Sequence, residues 1–161
     1  MNKSLQDEIG ILLKELRLTV AVAESATGGL ISSLITDVPG SSDYFKGSVV
    51  SYDNTIKAEV LGVNKRTLES YGAVSYQTAE EMAIGVRELM GADIGLSDTG
   101  IAGPAGATHG KPVGLFFIGL SSGFVTQVEK YLFHGDRTEN KRAAATEALS
   151  LLKAYLSGKF V

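Results

Sequence analysis

Short apolar runs alternate with segments of helical periodicity along the whole chain, and this alternation restricts the fold more than any other feature. Leu18–Ala23, Gly47–Tyr52 and Ile94–Ser97 read as strands, each leaving its apolar stretch for a helical pattern or a glycine loop. Ile9, Leu12, Leu13 and Leu16 make one apolar stripe on a helix spanning Leu5–Leu16, with Ser4 and Asp7 near the spacing of a capping box. Further helices are expected over Gly28–Thr36, Asn54–Leu61, Arg66–Ser70, Gln77–Met90 and Thr138–Leu156, with Asp53 or Asn54 and Ser75 as caps. Val113–Leu120 and Phe124–Phe133 read as a hairpin turning at Ser121-Ser122-Gly123. The order α-β-α-β-α-α-α-β-β-β-α predicts an α/β fold: a three-layer α/β/α sandwich with a mixed, mostly parallel sheet. With no internal repeat and no linker, residues 1–161 read as one domain. Asp98–Pro112 is expected to be a long glycine loop, of a length that often serves function.

Composition removes several chemistries. The chain has no cysteine, which excludes a thiolate nucleophile, an iron–sulfur cluster and a Cys-based zinc site. Two histidines, His109 and His134, cannot build a three-His metal site. The net charge of -3 offers no basic footprint for nucleic acid. No stretch reaches the ~18 apolar residues of a membrane span, and the first residues lack the pattern of a signal peptide. The expectation is a soluble, cytoplasmic protein with no nucleic-acid or membrane partner. The apolar, Ala-rich terminal helices permit a homo-oligomer.

The candidate chemistry gathers at strand ends, where open α/β sheets form their sites. Ser25 lies just past the strand Leu18–Ala23 and just before a helix, whose N-terminus suits an oxyanion or a phosphate. Gly28 and Gly29 allow backbone to approach a ligand closely; the same residues also read as a plain helix start capped by Ser25 and Thr27. A serine needs a base to become a nucleophile. Both histidines are badly placed for that, whereas a lysine can serve if burial or a nearby cation holds it neutral. Lys57 is a candidate, with Lys46, Lys65, Lys111 and Lys141 equal to it on composition. Thr99-Gly100-Ile101-Ala102-Gly103-Pro104 supplies a second strand end, and Arg137 could clamp a phosphate or carboxylate. Gly119–Gly123 matches G-x-S-x-G by letter, but a strand follows where a nucleophile elbow needs a helix, so it reads as the hairpin turn.

Taken in order, Ala23-Glu24-Ser25-Ala26-Thr27-Gly28-Gly29, Pro39-Gly40-Ser41-Ser42, Gly47–Tyr52, Lys57, Leu61-Gly62-Val63, Gly72-Ala73-Val74-Ser75, Thr99–Pro104, Lys111-Pro112-Val113-Gly114 and Gly135-Asp136-Arg137 resemble the CinA C-terminal domain family, the nicotinamide-nucleotide amidases. The resemblance covers about residues 5–156. It implies an α/β/α sandwich and hydrolysis of nicotinamide mononucleotide to nicotinate mononucleotide and ammonia. It implies a Ser/Lys pair, with Ser25 as nucleophile and Lys57 as base, supported by Ser42, Tyr52, Thr99 and Arg137. Ala26, Thr27, Gly28, Gly29, Gly100, Gly103 and Lys111 are the expected substrate-binding positions, and the ligand is a pyridine mononucleotide. No metal or organic cofactor is implied. Ala26 departs from the Cys that many members have, and the loop lacks their paired glycine before Lys111. Full-length members carry an N-terminal domain with a separate activity, which is not transferred here. The rival reading is a module that binds a pyridine nucleotide without turning it over.

Overall fold

The computed structural model describes residues 2–160; Met1 and Val161, the ends of the span read as one domain, lie outside it. The elements in chain order are α1 (Leu5–Leu16), β1 (Val20–Glu24), α2 (Leu30–Thr36), a 3-10 turn (Ser41–Asp43), β2 (Phe45–Val50), α3 (Asn54–Glu59), α4 (Lys65–Tyr71), α5 (Tyr76–Met90), β3 (Ile94–Gly100), β4 (Leu115–Ser121), β5 (Thr126–Leu132) and α6 (Arg137–Leu156). The five strands form one sheet in the order β2-β1-β3-β4-β5. β1 pairs in parallel with β2 and β3, and β4 pairs antiparallel with β3 and β5. Four strands therefore point one way and β4 alone opposes them: the expected mixed, mostly parallel sheet.

The period of two in β1 builds the layers. Val20 and Val22 face a core shared with α1, α2 and α6, through Ile9, Leu13, Ile31, Ile35 and Leu149. Ala21 and Ala23 face the other way, against Met82 and Val86 of α5. All five residues of β1 are buried, as a central strand covered on both faces requires. Among the described residues, no helix is long and apolar enough to cross a membrane.

Local caps match the sequence reading closely. Ser4 and Asp7 close a full capping box on α1, Asp53 caps α3 through the Thr55 N–H, and Ser75 caps α5 through Thr78. Two boundaries differ. β3 runs on to Gly100, so Asp98, Thr99 and Gly100 belong to a strand and not to the expected loop. Their backbones pair with Ile118, Phe117 and Phe116 of β4, and this pairing extends the strand beyond its apolar stretch. α2 starts at Leu30, two residues later than expected, because Gly28 and Gly29 hold φ of +61° and +104°, outside helical geometry. The Ser121-Ser122-Gly123 segment is a hairpin turn, closed by the Ser122 N–H to the Val125 carbonyl over 2.8 Å.

Candidate active site

The parallel pair β1–β2 ends in register, Glu24 opposite Val50. One residue further, the Ser51 N–H donates to the Glu24 carbonyl over 2.7 Å, which locks the two strand exits together. Ser25 leaves one exit and Tyr52 the other. Between them and the end of β3 opens a cleft of about 290 Å³ lined by Ser25, Lys57, Tyr52, Thr99, Arg137 and the 105–106 segment, with Ala26, Gly100 and Val74 among its other walls. This is the carboxyl edge of the parallel strands, where sequence reasoning placed it.

Lys57 is the most unusual side chain of the fold. It is only 1% exposed, yet it has no acidic side chain within salt-bridge distance among the described residues. Its Nζ lies 2.7 Å from the Ser51 carbonyl, 3.1 Å from Ser25 Oγ and 3.5 Å from the Tyr52 carbonyl. Burial pushes its pKa below the usual lysine value, against the opposing pull of Asp98 and Asp53. A neutral amine has two hydrogens and one lone pair. Two carbonyls can take the hydrogens, which leaves the lone pair for the Ser25 hydroxyl. Desolvation is the largest cause of this shift, and Arg137 is not among its causes.

The turn carrying Ser25 is built on two buried acids. Glu24 accepts from the N–H groups of Gly29 (3.1 Å), Ile31 (2.9 Å) and Ser32 (3.0 Å), and from the Ser32 hydroxyl. Those are the orphan donors at the start of α2, satisfied by a carboxylate from the preceding strand. Asp98 accepts from the N–H groups of Ser25 (2.9 Å) and Thr27 (3.2 Å). The Thr27 hydroxyl sits within hydrogen-bond distance of both acids. Gly28 donates to the Ser25 carbonyl and Leu30 to the Thr27 carbonyl. Of the N–H groups from Ser25 to Ser32, only that of Ala26 has no acceptor among the described residues, and Ala26 lines the cleft.

The rim is tied together by polar contacts. Arg137, the first residue of α6, donates to the Gly103 carbonyl (2.8 Å) and to the Tyr52 hydroxyl (3.0 Å), bridging the two sides of the cleft. Thr99 Oγ1 donates to the Ala73 carbonyl over 2.7 Å and holds the 73–74 wall. Asn140 is buried; its amide donates to the Ala102 carbonyl and accepts from the Gly135 N–H, anchoring the loop to α6.

Ser25, Lys57, Tyr52, Thr99 and Arg137 thus converge, with Ala26 and Gly100 beside them. Others do not. Ser42 lies in the 3-10 turn before β2, and since β2 is parallel to β1 it stands at the opposite end of the sheet, roughly a strand length (~17 Å) away. Thr27 is buried behind the nucleophile, and Gly28 and Gly29 border a separate groove with Lys141 and Arg142. The glycines are required there by their positive φ rather than by ligand approach. Gly103 meets the site only through the carbonyl that Arg137 binds. Lys111 does not line the cleft; its ammonium caps the Tyr71 carbonyl at the end of α4. Sequence reasoning gave no role to Glu24, Asp98 or Asn140. The available signal was an acid at the end of an apolar run with no cation beside it, as at both Glu24 and Asp98.

Comparisons with known proteins agree with this architecture. The CinA C-terminal domain family matches residues 2–156. A CinA-like protein of Desulfosudis oleivorans is 51% identical over 154 residues, 95% of this chain and 37% of that protein. A CinA-like protein of Sulfurihydrogenibium sp. is 44% identical over 155 residues, 96% of this chain and 39% of that protein. The chain therefore spans somewhat more than a third of the length of these curated relatives. Among solved structures, the competence/damage inducible protein CihA from Agrobacterium tumefaciens superposes with a TM-score of 0.89 at 36% identity, covering 98% of both chains. The competence damage-inducible protein A from Klebsiella pneumoniae gives a TM-score of 0.92 at 29% identity, covering 95% of both chains. Sequence and fold together place the chain in the CinA C-terminal domain family.

Proposed function

We propose that this domain hydrolyses the carboxamide of nicotinamide mononucleotide, giving nicotinate mononucleotide and ammonia through a Ser/Lys mechanism. The observation that carries the reading is the buried Lys57 amine 3.1 Å from Ser25 Oγ, with main-chain carbonyls and no carboxylate as its other partners. Neutral Lys57 takes the hydroxyl proton as Ser25 Oγ attacks the carboxamide carbon. The Ala26 N–H, the uncommitted donor of the turn, receives the developing oxyanion. Lys57 then gives its proton to the departing nitrogen, which leaves as ammonia. Water, deprotonated by the same amine, attacks the acyl-enzyme carbonyl; the acyl–oxygen bond breaks, Lys57 returns the proton to Ser25 Oγ, and the acid product leaves. Ser42, which the resemblance counts among the supporting residues, takes no part in this proton path, because it stands at the other end of the sheet. Arg137 has no acidic partner among the described residues and faces the cleft, which suits the phosphate of the substrate.

The test is ammonia release from nicotinamide mononucleotide by the wild type and by Ser25→Ala. Release by the wild type alone supports the reading. Tight binding by folded wild type with no ammonia would instead favour a binding module.

A further inference from the structure

Behind the nucleophile, one hydroxyl serves two carboxyl groups. Thr27 Oγ1 lies 2.6 Å from Glu24 Oε1 and 2.5 Å from Asp98 Oδ1. A threonine hydroxyl has a single hydrogen. It can donate to one of these oxygens only, so the second contact needs a hydrogen from the other carboxyl group. Glu24 and Asp98 are both fully buried, and no cation reaches either within salt-bridge distance among the described residues. Two uncompensated charges in one buried cluster are strongly disfavoured.

The donor sets decide which acid keeps the hydrogen. Glu24 receives three backbone N–H groups and the Ser32 hydroxyl, all of which favour its ionised form. Asp98 receives two backbone N–H groups. The proton belongs on Asp98, which donates to Thr27 Oγ1, while Thr27 donates to Glu24.

We propose that Glu24, Thr27 and Asp98 form a proton-sharing unit that positions the nucleophile turn, with the shared proton resting on Asp98. Asp98 is in this sense a positioning residue: it grips the Ser25 and Thr27 backbone. Its link to catalysis rests on the Ser/Lys reading above. Burial followed by Glu24 repulsion lifts Asp98 to about 6, in the direction the geometry requires. The ionisable groups facing the unit are few. Glu24 comes from β1 and Lys57 from α3, with Asp53 acting on Lys57 from the α3 cap. β4 opposes Asp98 with Ile118, α5 meets β3 through the Ala79 carbonyl on Ser97, and α6 brings Arg137 to the cleft mouth and the neutral Asn140 to Ala102.

The test is a carbon-13 NMR titration of the carboxyl groups in the full chain, for wild type, Asp98→Asn and Glu24→Gln. In the wild type one carboxyl is expected to take up its proton near pH 6, and that signal should vanish in Asp98→Asn. In Glu24→Gln the Asp98 proton uptake should fall toward the ordinary carboxylate range. An Asp98 that only braces the turn and shares no proton would titrate in the ordinary carboxylate range. Wild-type carboxyl groups that all titrate below about pH 5, or a signal near pH 6 that persists in Asp98→Asn, overturn the proposal. The wild-type titration decides even if a variant does not fold. No substrate enters these readouts, so failure of the amidase reading and failure of the shared proton are seen separately.

Discussion

Lys57 Nζ is closer to the Ser51 main-chain carbonyl, at 2.7 Å, than to the Ser25 hydroxyl, at 3.1 Å. The amine is therefore held by the exit of β2, which in turn is pinned to β1 by the Ser51 N–H on Glu24. A residue with a long, rotamer-rich stem is fixed by backbone on one side and left with its lone pair for the serine on the other.

Lys57→Met should remove the base and keep the apolar stem. Ammonia release is expected to fall by roughly 10²–10⁴, the usual worth of a positioned acid–base group. Thermal stability should hold or rise, since a buried amine is replaced by a thioether. Lys57→Arg should not rescue activity, because a guanidinium stays protonated. Ammonia assays beside thermal melts check both statements; wild-type turnover in either variant would remove Lys57 from the mechanism.

The acid limb of kcat/KM should report Lys57. The active form is the neutral amine, and burial lowers its pKa below the ordinary lysine value of 10.5. Activity should therefore rise with pH and reach its plateau below the range of an exposed lysine. The same shift bears on stability. The unfolded chain binds the Lys57 proton more tightly, so this group's contribution to stability improves as pH rises from its lowered value toward 10.5. A profile whose acid limb sits at the value of a free lysine would contradict the assignment.

Asp98 works in the opposite sense. Its pKa is raised from 3.8 to about 6, so the folded chain binds this proton more tightly than the unfolded one. Its favourable contribution is complete below pH 3.8 and is lost as pH rises through about 6. The stability of wild type relative to Asp98→Asn should accordingly fall by about 3 kcal/mol between those limits. Urea unfolding of the two proteins at pH 4 and pH 7 measures the difference; an equal gap at both pH values would refute it.

Glu24→Ala should be among the most damaging changes to the fold. It leaves the buried or half-buried N–H groups of Gly29, Ile31 and Ser32 without their acceptor. The loss is expected to be about 3–5 kcal/mol, more than a typical surface substitution by an order of magnitude. Denaturant midpoints for Glu24→Ala and Glu24→Gln would test it, with Gln retaining part of the acceptor set.

Gly100→Ala probes how tightly the cleft wall is packed. A Cβ at this position would stand 2.4 Å from the Phe116 ring, a buried side chain with little room to yield. Overpacking of this kind costs about 1–3 kcal/mol, and the displaced β3 end should also raise KM. An alanine variant with unchanged melting and KM would show that Phe116 moves freely.

Periodicity and caps made most of the fold legible. The α1 stripe, the Asp53 and Ser75 caps and the hairpin at Ser122 all follow from local chemistry, and each is present. The expected strand stops at Ser97 because Asp98 and Thr99 are polar; their hydrogen-bond partners, Thr27 and Ala73, are distant in sequence and invisible to a local pattern. The cleft was legible as strand ends, but the choice of Lys57 over Lys46, Lys65, Lys111 and Lys141 came from resemblance alone. What sets Lys57 apart is burial, a property of the assembled sheet. Ser42 was carried into the site by motif order, which does not reveal that a residue preceding a parallel strand emerges at the far edge.

The turn from Ser25 to Ser32 has spent nearly every amide hydrogen on its own acids and carbonyls. Such a loop has no slack with which to wrap a guest. A visiting molecule finds a mould already cast, with one open amide as its fixed reference point. Chemical diversity at this position must come from the opposite bank, where Tyr52 and Arg137 stand on exposed chain and can be exchanged without recasting the mould.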